Sequence, residues 1–403
     1  MSWETSLTQL AGRLPPWRSS AYVLGMMLGA YTGFWCLQEL TRAWVLSARR
    51  RRHPVRSRAD AACTDDAWLG HADEKARQHI VARFQPFFFL GRSLNVAPAE
   101  RRGVPSWGGR VWRYVQRPWR SSHPPLEAQQ CVHPVSMEQL WGLPAPAAKP
   151  WATKAAAPGR GCSYTWLAPN TCLVQMHGLT LLTEPVSMST PRDPCTMTEL
   201  LAQGHIDVIL VMAHLDLSLV PHVPRTTRWI VPRGVGAYLT RRGVDAAQVI
   251  ELTWWDETHA PFTVPVREAA PASVRDAERR LDVAAVPTSH TSGHTLCQSY
   301  VVRCAARGQR TLSFFLGGDS GYHQALSASI GHMYGPFEGA SFPIDGPGDL
   351  GVRVLMDGRQ AMQAAQDLGA SQCYGRPRSH GAWADTQGVQ IVPRGKTQVV
   401  ASV

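Results

Sequence analysis

His214 and Asp216 stand two residues apart in the segment Val208–Val220, VILVMAHLDLSLV. They follow the apolar run Val208–Val211, which reads as a buried strand. An imidazole and a carboxylate on a loop at a strand end are the donor types that hold a catalytic divalent ion. Their neighbours cannot share that work. Met212 carries a soft thioether, a poor zinc ligand and a good packing group, and Leu217 offers no lone pair. Met212 and Leu217 thus add no donor to the loop.

Other chemistry-bearing residues are less patterned. Nine cysteines are scattered without a CxxC pair, which argues against a disulfide framework and a zinc ribbon. Gly317-Gly318-Asp319 and Gly346-Pro347-Gly348 read as turns without a phosphate-loop pattern. His294 lies among Thr, Ser and Gly, so a loop histidine is the simpler reading than a helical ligand four residues after His290. His380 follows Cys373 by seven residues, a spacing that supports no ligand pair. No Ser-His-Asp ordering is readable.

The elements that must position the loop are short apolar strands. Thr165–Pro185 reads as two strands joined at His177-Gly178, followed by a helix at Met197–Gln203 and the strand Val208–Val211. Trp229–Val231, Val283–His290, Ser299–Cys304 and Thr311–Tyr322 supply further strand runs, with a helix expected up to Arg242. Strands interleaved with helices mean α/β.

The order of these runs resembles one family, the metallo-β-lactamase-fold phospholipase D that hydrolyses N-acyl-phosphatidylethanolamine. TWLAPNTCLVQ (165–175), LLTEPVSM (181–188), DPCTMTELLAQGHIDVIL (193–210), FFLGGDSGY (314–322) and GPFEGASFPI (335–344) are similar to its motifs, in its order. So is PRGVGAYLTRRGVDAAQVIELTWWDE (232–257), in which Trp254 and Trp255 are expected to pack against a helix. The likeness covers about residues 134–396. It implies an αββα sandwich of two sheets enclosed by helices, and a two-metal hydrolase in which a hydroxide bridges ions ~3.5–4 Å apart.

Carried over residue by residue, the family's HxHxDH loop falls on Met212, His214, Asp216 and Leu217. Its next histidine falls on His290, its bridging aspartate on Asp319 and its last histidine on Cys373. The resemblance thus implies a vestigial metal set of His214, Asp216, His290 and Asp319, with Met212, Leu217 and Cys373 at lost positions. The family's Gly-His after the first strand is Ala168-Pro169, the aspartate of its LTDP turn is Glu184, and its second-sphere histidine is Leu355. No cofactor is expected, at most one Zn.

The rest of the chain is basic, with net charge +11 and pI about 9.5. Only Lys75, Lys149, Lys154 and Lys396 are lysine, so 37 of the 41 basic residues are arginine. Arginine forks onto phosphate and carboxylate, which suits acidic headgroups or acidic protein partners, although an Arg-rich codon bias gives the same composition. Ala21–Leu37 contains no charge, and Arg49–Arg52 follows closely. That pattern predicts a transmembrane helix with the main domain on the matrix or cytoplasmic face. Gly25, Gly29 and Gly33 line one helix face and would admit a partner helix. Between Arg49 and Gly161 the chain is rich in Arg, Pro and Trp, with helices expected only near 73–84 and 136–140. No RNA-binding motif appears there, so nucleic acid is not an expected partner.

The expected organisation is a tail at 1–20, a transmembrane helix at 21–47, an arm at 48–160 and a metallo-β-lactamase-like domain at 161–403. The expected function is an inactive, phospholipase D-like accessory subunit of a membrane protein complex, in the mitochondrial inner membrane, contacting membrane subunits and phospholipid. The rivals are a single-metal phospholipid phosphodiesterase, a non-hydrolytic phospholipid-binding module and, less favoured, nucleic-acid binding through the Arg/Trp arm. Stoichiometric zinc, a co-purified lipid and salt-dependent RNA affinity respectively would mark them.

Overall fold

A computed structural model of the chain describes residues 16–52, 74–89, 92–94, 133–135, 161–188, 190, 193–202, 206–262, 279–289, 296–306, 308–344, 355–377 and 388–401. His290, His294, Gly346, Pro347, Gly348, His380 and the helix expected near 136–140 lie outside the described residues.

Beside a short antiparallel pair, β1 (Phe87–Phe89) and β2 (Arg92–Leu94), two seven-stranded sheets carry the fold. The first contains β3 (Cys162–Trp166), β4 (Cys172–Met176), β5 (Leu179–Thr183), β6 (Val208–Leu210), β7 (Arg228–Pro232), β8 (Val249–Leu252) and β16 (Thr397–Ala401), in the order β16-β3-β4-β5-β6-β7-β8. The second contains β9 (Glu257–Phe262), β10 (Arg279–Pro287), β11 (Gln298–Ala306), β12 (Leu312–Leu316), β13 (Gly339–Ile344), β14 (Cys373–Pro377) and β15 (Gln390–Ile391), in the order β15-β14-β13-β12-β11-β10-β9. Strands β5–β8 run parallel, as do β12–β15, and the remaining neighbours are antiparallel. The β4–β5 hairpin turns at His177 and Gly178, both at positive φ, where the sequence places the joint.

Side chains alternate between the two faces of a strand, so each sheet feeds two cores. Leu281, Val283 and Ala285 of β10 and Tyr300, Val302 and Cys304 of β11 point into the core between the sheets. Their neighbours Ala284, Val286 and Val301 point outward. The outer layer of the second sheet is covered by α5 (Gln324–Tyr334) and α6 (Gly358–Leu368), through Leu326, Ile330, Met333, Ala361, Ala364 and Leu368. The outer layer of the first sheet is covered by α3 (Met197–Ala202) and α4 (Gly236–Thr240), through Leu200, Leu201 and Leu239. This is the αββα sandwich that the resemblance implies. Helix α6 is cut to length by its ends. Asp357 and Gln360 form a reciprocal capping box, and Gly369, at φ 72°, takes the left-handed cap.

At the N-terminal side, α1 (Pro16–Arg52) is a continuous helix of 37 residues. Among the described residues no helix is long and apolar enough to cross a membrane. The transmembrane expectation is thereby corrected, and composition explains why. Three glycines, two tyrosines, Thr32 and Gln38 dilute the aliphatic side chains within 21–38, and uncharged is not the same as apolar. The large side chains of this helix are nonetheless exposed, from Tyr22, Val23 and Leu24 to Leu40 and Trp44. Helix α2 (Glu74–Arg83), expected from the sequence, joins α1 to the sandwich. Arg49 Nη1 donates to the Gln85 carbonyl, while Ile80 and Phe84 are buried against Trp254 and Trp255.

Candidate functional site

The loop after β6 is organised by a buried carboxylate. Glu184, directly after β5, has φ 37°, a conformation seldom adopted by a side chain of this kind. Its Oε1 accepts the backbone N–H groups of Met212 at 3.2 Å, of Ala213, and of His214 at 2.8 Å. Three consecutive amides thus converge on one buried anion, which holds the loop in a single conformation. The loop's own side chains are then sorted by direction. His214 is 57% exposed, with Nδ1 at 3.2 Å from Asn170 Nδ2 and 3.5 Å from Glu184 Oε2.

Asp216 is committed to the protein. Its Oδ2 accepts from the Ser187 amide at 3.0 Å and the Ser187 hydroxyl at 2.8 Å, and its Oδ1 accepts from the Ser218 amide at 3.0 Å and hydroxyl at 2.6 Å. Partial burial would raise its carboxyl, but the Ser218 and Ser187 donors outweigh that and hold it below the usual carboxylate range. Oδ2 ties this loop to the one at Ser187, and Oδ1 braces the loop's own turn at Ser218.

Asp319 lies just beyond β12, buried, in a turn fixed on three sides. The Gly318 amide donates to Ser299 Oγ at 3.0 Å, the Ser289 amide to Ser320 Oγ at 2.8 Å, and the Gly321 amide to the Ser289 carbonyl at 2.9 Å. Gly318 is required there, because a Cβ would come within 2.6 Å of the Gln298 carbonyl.

The three lost ligand positions pack on three different clusters, Met212 and Cys373 within them and Leu217, partly buried, against one. Met212, 1% exposed, packs between the sheets. Leu217 packs into the outer layer of the first sheet. Cys373 packs into the outer layer of the second. The Cys373 thiol donates to the Ala361 carbonyl of α6 at 3.5 Å, and burial pushes it up to about 12, so it does not face the cleft between the sheets. Cys373 is level with Phe315 of β12 through Ala340 of β13, four residues short of Asp319 along the sheet. The residue of β14 that does reach the Asp319 end is Arg376. Its Nη2 donates to the Gly317 carbonyl at 2.5 Å. Sequence reasoning missed it.

The described residues do not fit a two-metal set as they stand, because both Asp216 oxygens are taken by the Ser187 and Ser218 donors. Among the described residues no group of three or more His, Cys, Asp or Glu could hold a metal ion. His290, the fourth residue of the vestigial set, lies outside them.

Comparison with known proteins agrees with the fold. Residues 182–375 match the family model described as "Beta-lactamase superfamily domain". An uncharacterized protein of Mycobacterium tuberculosis is 27% identical over 223 residues, which cover 51% of this chain and 55% of that protein. The "N-acyl-phosphatidylethanolamine-hydrolyzing phospholipase D, mitochondrial" of Saccharomyces cerevisiae is 25% identical over 283 residues, 62% of this chain and 53% of that protein. The chain thus spans about half the length of the curated relatives it matches. Among solved structures, Igni18, described as a novel metallo hydrolase from Ignicoccus hospitalis, aligns with TM-score 0.42 at 19% identity, over 59% of this chain and 97% of that one. The chain carries a divergent metallo-β-lactamase-fold domain.

Proposed function

We propose that this chain is a non-catalytic, phospholipase D-like subunit that serves a membrane protein complex as a structural accessory. One observation carries the reading. Of the residues that stand where the resemblance places three metal ligands, Met212 and Cys373 are built into two separate apolar cores, and Leu217, partly buried, packs against a third. Positions absorbed into packing in this way gain contacts at the cost of coordination.

Two further features support an accessory role. Helix α1 exposes a long series of large apolar side chains, including Leu24, Met27, Leu28, Leu40 and Trp44, beside Gly25, Gly29 and Gly33. Membrane subunits and their phospholipid are the partners that would cover such a surface. The reading puts the protein at the mitochondrial inner membrane with the sandwich on the matrix side, and the mitochondrial name of the yeast relative supports the organelle alone.

The test is direct. Purified full-length protein, with and without added zinc chloride, is incubated with N-acyl-phosphatidylethanolamine vesicles, and phosphatidic acid is measured. No turnover and sub-stoichiometric zinc are expected. Zinc-dependent release of phosphatidic acid would return the chain to the hydrolases. A tagged chain in its native host is expected to co-purify with defined membrane subunits.

A further inference from the structure

The two sheets are joined at both ends, and the end away from the cleft is lined with arginine. At the cleft end the Tyr300 hydroxyl donates to the Val211 carbonyl at 2.8 Å. At the opposite end, the base of the sandwich, His177 Nε2 in the β4–β5 turn donates to the Arg310 carbonyl in the β11–β12 turn at 2.8 Å. The buried Arg279, which opens β10, returns a bond from Nε to the His177 carbonyl at 2.9 Å.

Arginines collect there because of how the chain enters its strands. In the first sheet Arg225 lies on the turn before β7 and Arg228 opens that strand, its amide bonded to the Asp207 carbonyl. The crossover from β7 to the parallel β8 has to come back to the same end, and it carries Arg241 and Arg242 directly after α4. In the second sheet Arg280 follows Arg279 at the start of β10, Arg303 stands opposite Asp282 near the end of β11, and Arg310 leads into β12. Arg225, Arg241, Arg242, Arg280 and Arg310 are exposed.

The carboxylates of the base are fewer, and the fold engages them. Asp282 is buried with His259 at 2.7 Å and Arg280 at 3.1 Å, and Asp207 accepts the Thr180 amide at 2.7 Å. Asp245 accepts the Ala247 amide at 3.0 Å, and Glu338 takes the Ser313 hydroxyl at 2.9 Å beside Arg310 at 3.3 Å. The surface that remains is positive.

Its sign and its place narrow the occupant. The arm at 48–160 is itself rich in arginine, and a second copy set base to base brings like charge, so both are repelled. Helix α2 docks at the cleft end, where Arg77 meets Glu257 at the start of β9 and Phe84 lies against Trp255. A membrane that covers α1 therefore approaches from that end, and the base is turned away from it.

We propose that the base of the sandwich is a docking surface for an acidic protein face, whose aspartates and glutamates are gripped by Arg225, Arg241, Arg242, Arg280 and Arg310. The proposal deepens the accessory-subunit reading on which it rests, because it places the partner's carboxylates at the end opposite the former metal cleft. Arginine suits the task better than lysine, since a planar guanidinium meets a carboxylate through two parallel N–H groups.

The experiment titrates the full-length protein with fluorescein-labelled poly-L-glutamate at low salt, read by anisotropy. Arg241→Glu with Arg242→Glu is compared with Arg233→Glu with Arg359→Glu, an equal charge change at the cleft end. The base variant is expected to bind about tenfold more weakly and the control to lose less than about twofold. Equal losses overturn the proposal, because total charge then sets the affinity. Arg225→Glu alone, on a separate turn of the base, is expected to act in the same direction, which decides the matter if the double variant does not fold. In the native host, a photoreactive benzophenone residue in place of Thr240, exposed beside Arg241, is irradiated and the crosslinked peptide is sequenced. A segment of a membrane-complex subunit rich in Asp and Glu supports the proposal. A neutral or basic segment, a phospholipid, a nucleic acid, a second copy of this chain or no crosslink overturns it. Lipid hydrolysis by the wild-type chain would remove the accessory role and leave the poly-L-glutamate result untouched, whereas equal losses would remove the docking surface and leave that role standing.

Discussion

Glu184 holds His214 through the backbone: the carboxylate Oε1 accepts the His214 amide at 2.8 Å, together with the amides of Met212 and Ala213. The contact ties the residue after β5 to the loop after β6, and among the described residues these three amides are the donors to that oxygen. Glu184→Ala would leave three amides without their acceptor, so a loss of roughly 3 kcal/mol in urea unfolding is expected. Glu184→Gln keeps an acceptor oxygen and loses less. Equal stability of the alanine variant and the wild type would show that the loop is held by something else.

Met212 offers the opposite experiment, restoring a donor. Met212→His puts an imidazole where the family resemblance calls for one, but the site lies in the apolar core between the sheets, with Met212 Cβ 3.4 Å from where a Gly318 Cβ would stand. Desolvating the ring is expected to cost about 1–3 kcal/mol, while Met212→Leu stays within about 1.5 kcal/mol. No zinc affinity is expected to return, since the other lost positions face elsewhere. Thermal unfolding with and without zinc chloride reads both effects, and a zinc-dependent rise in the Tm of Met212→His would contradict the arrangement described.

Much of this was legible in the sequence because strand alternation leaves a direct trace. The runs around Leu173, Ile209, Ile230 and Val301 mark the strands, and Met212 and Leu217 reveal a depleted loop without coordinates. What stayed hidden depends on which way a side chain points. Cys373 matches a ligand position in motif order, yet strand parity sends its thiol under α6. Arg376 gave no signal at all, because one buried guanidinium among 37 arginines looks like the rest until β14 is paired with β13. Helix α1 was legible as a helix, but the absence of charge did not amount to sufficient apolarity.

Acid stability should depend on Asp193. Its Oδ1 accepts from Arg394 Nη2 at 3.0 Å and its Oδ2 from the Thr190 amide and hydroxyl, while Arg394 Nε reaches the Leu167 carbonyl. Burial would raise this carboxyl, but the Thr190 donors and Arg394 outweigh it and hold it below its ordinary value. A depressed folded-state pKa stabilises above the unfolded value of about 3.9 and is lost as pH falls through the folded one. The stability difference between wild type and Asp193→Asn should therefore be constant at neutral pH and shrink in acid below about pH 4. Urea midpoints at a series of pH values test it, and a difference that widens in acid has the wrong sign.

Phe84 should couple the N-terminal helices to the sandwich. Its ring is buried with Ile80 against Trp254 and Trp255, and its carbonyl accepts from Trp255 Nε1 at 3.3 Å. Arg77 adds an ion pair to Glu257 at 3.1 Å, but at that exposure a pair of this kind contributes less than about 1 kcal/mol. The apolar contact therefore dominates. Phe84→Ala is expected to cost about 3 kcal/mol, the lower end for a buried ring, and Arg77→Ala less than about 1 kcal/mol. Local release should show first as faster tryptic cleavage at Arg77 and Arg83 in the full chain, with β3–β16 still protected. If Phe84→Ala instead exposed the whole sandwich at the same rate, α2 would be part of the domain's cooperative core, not a docked strut between it and α1.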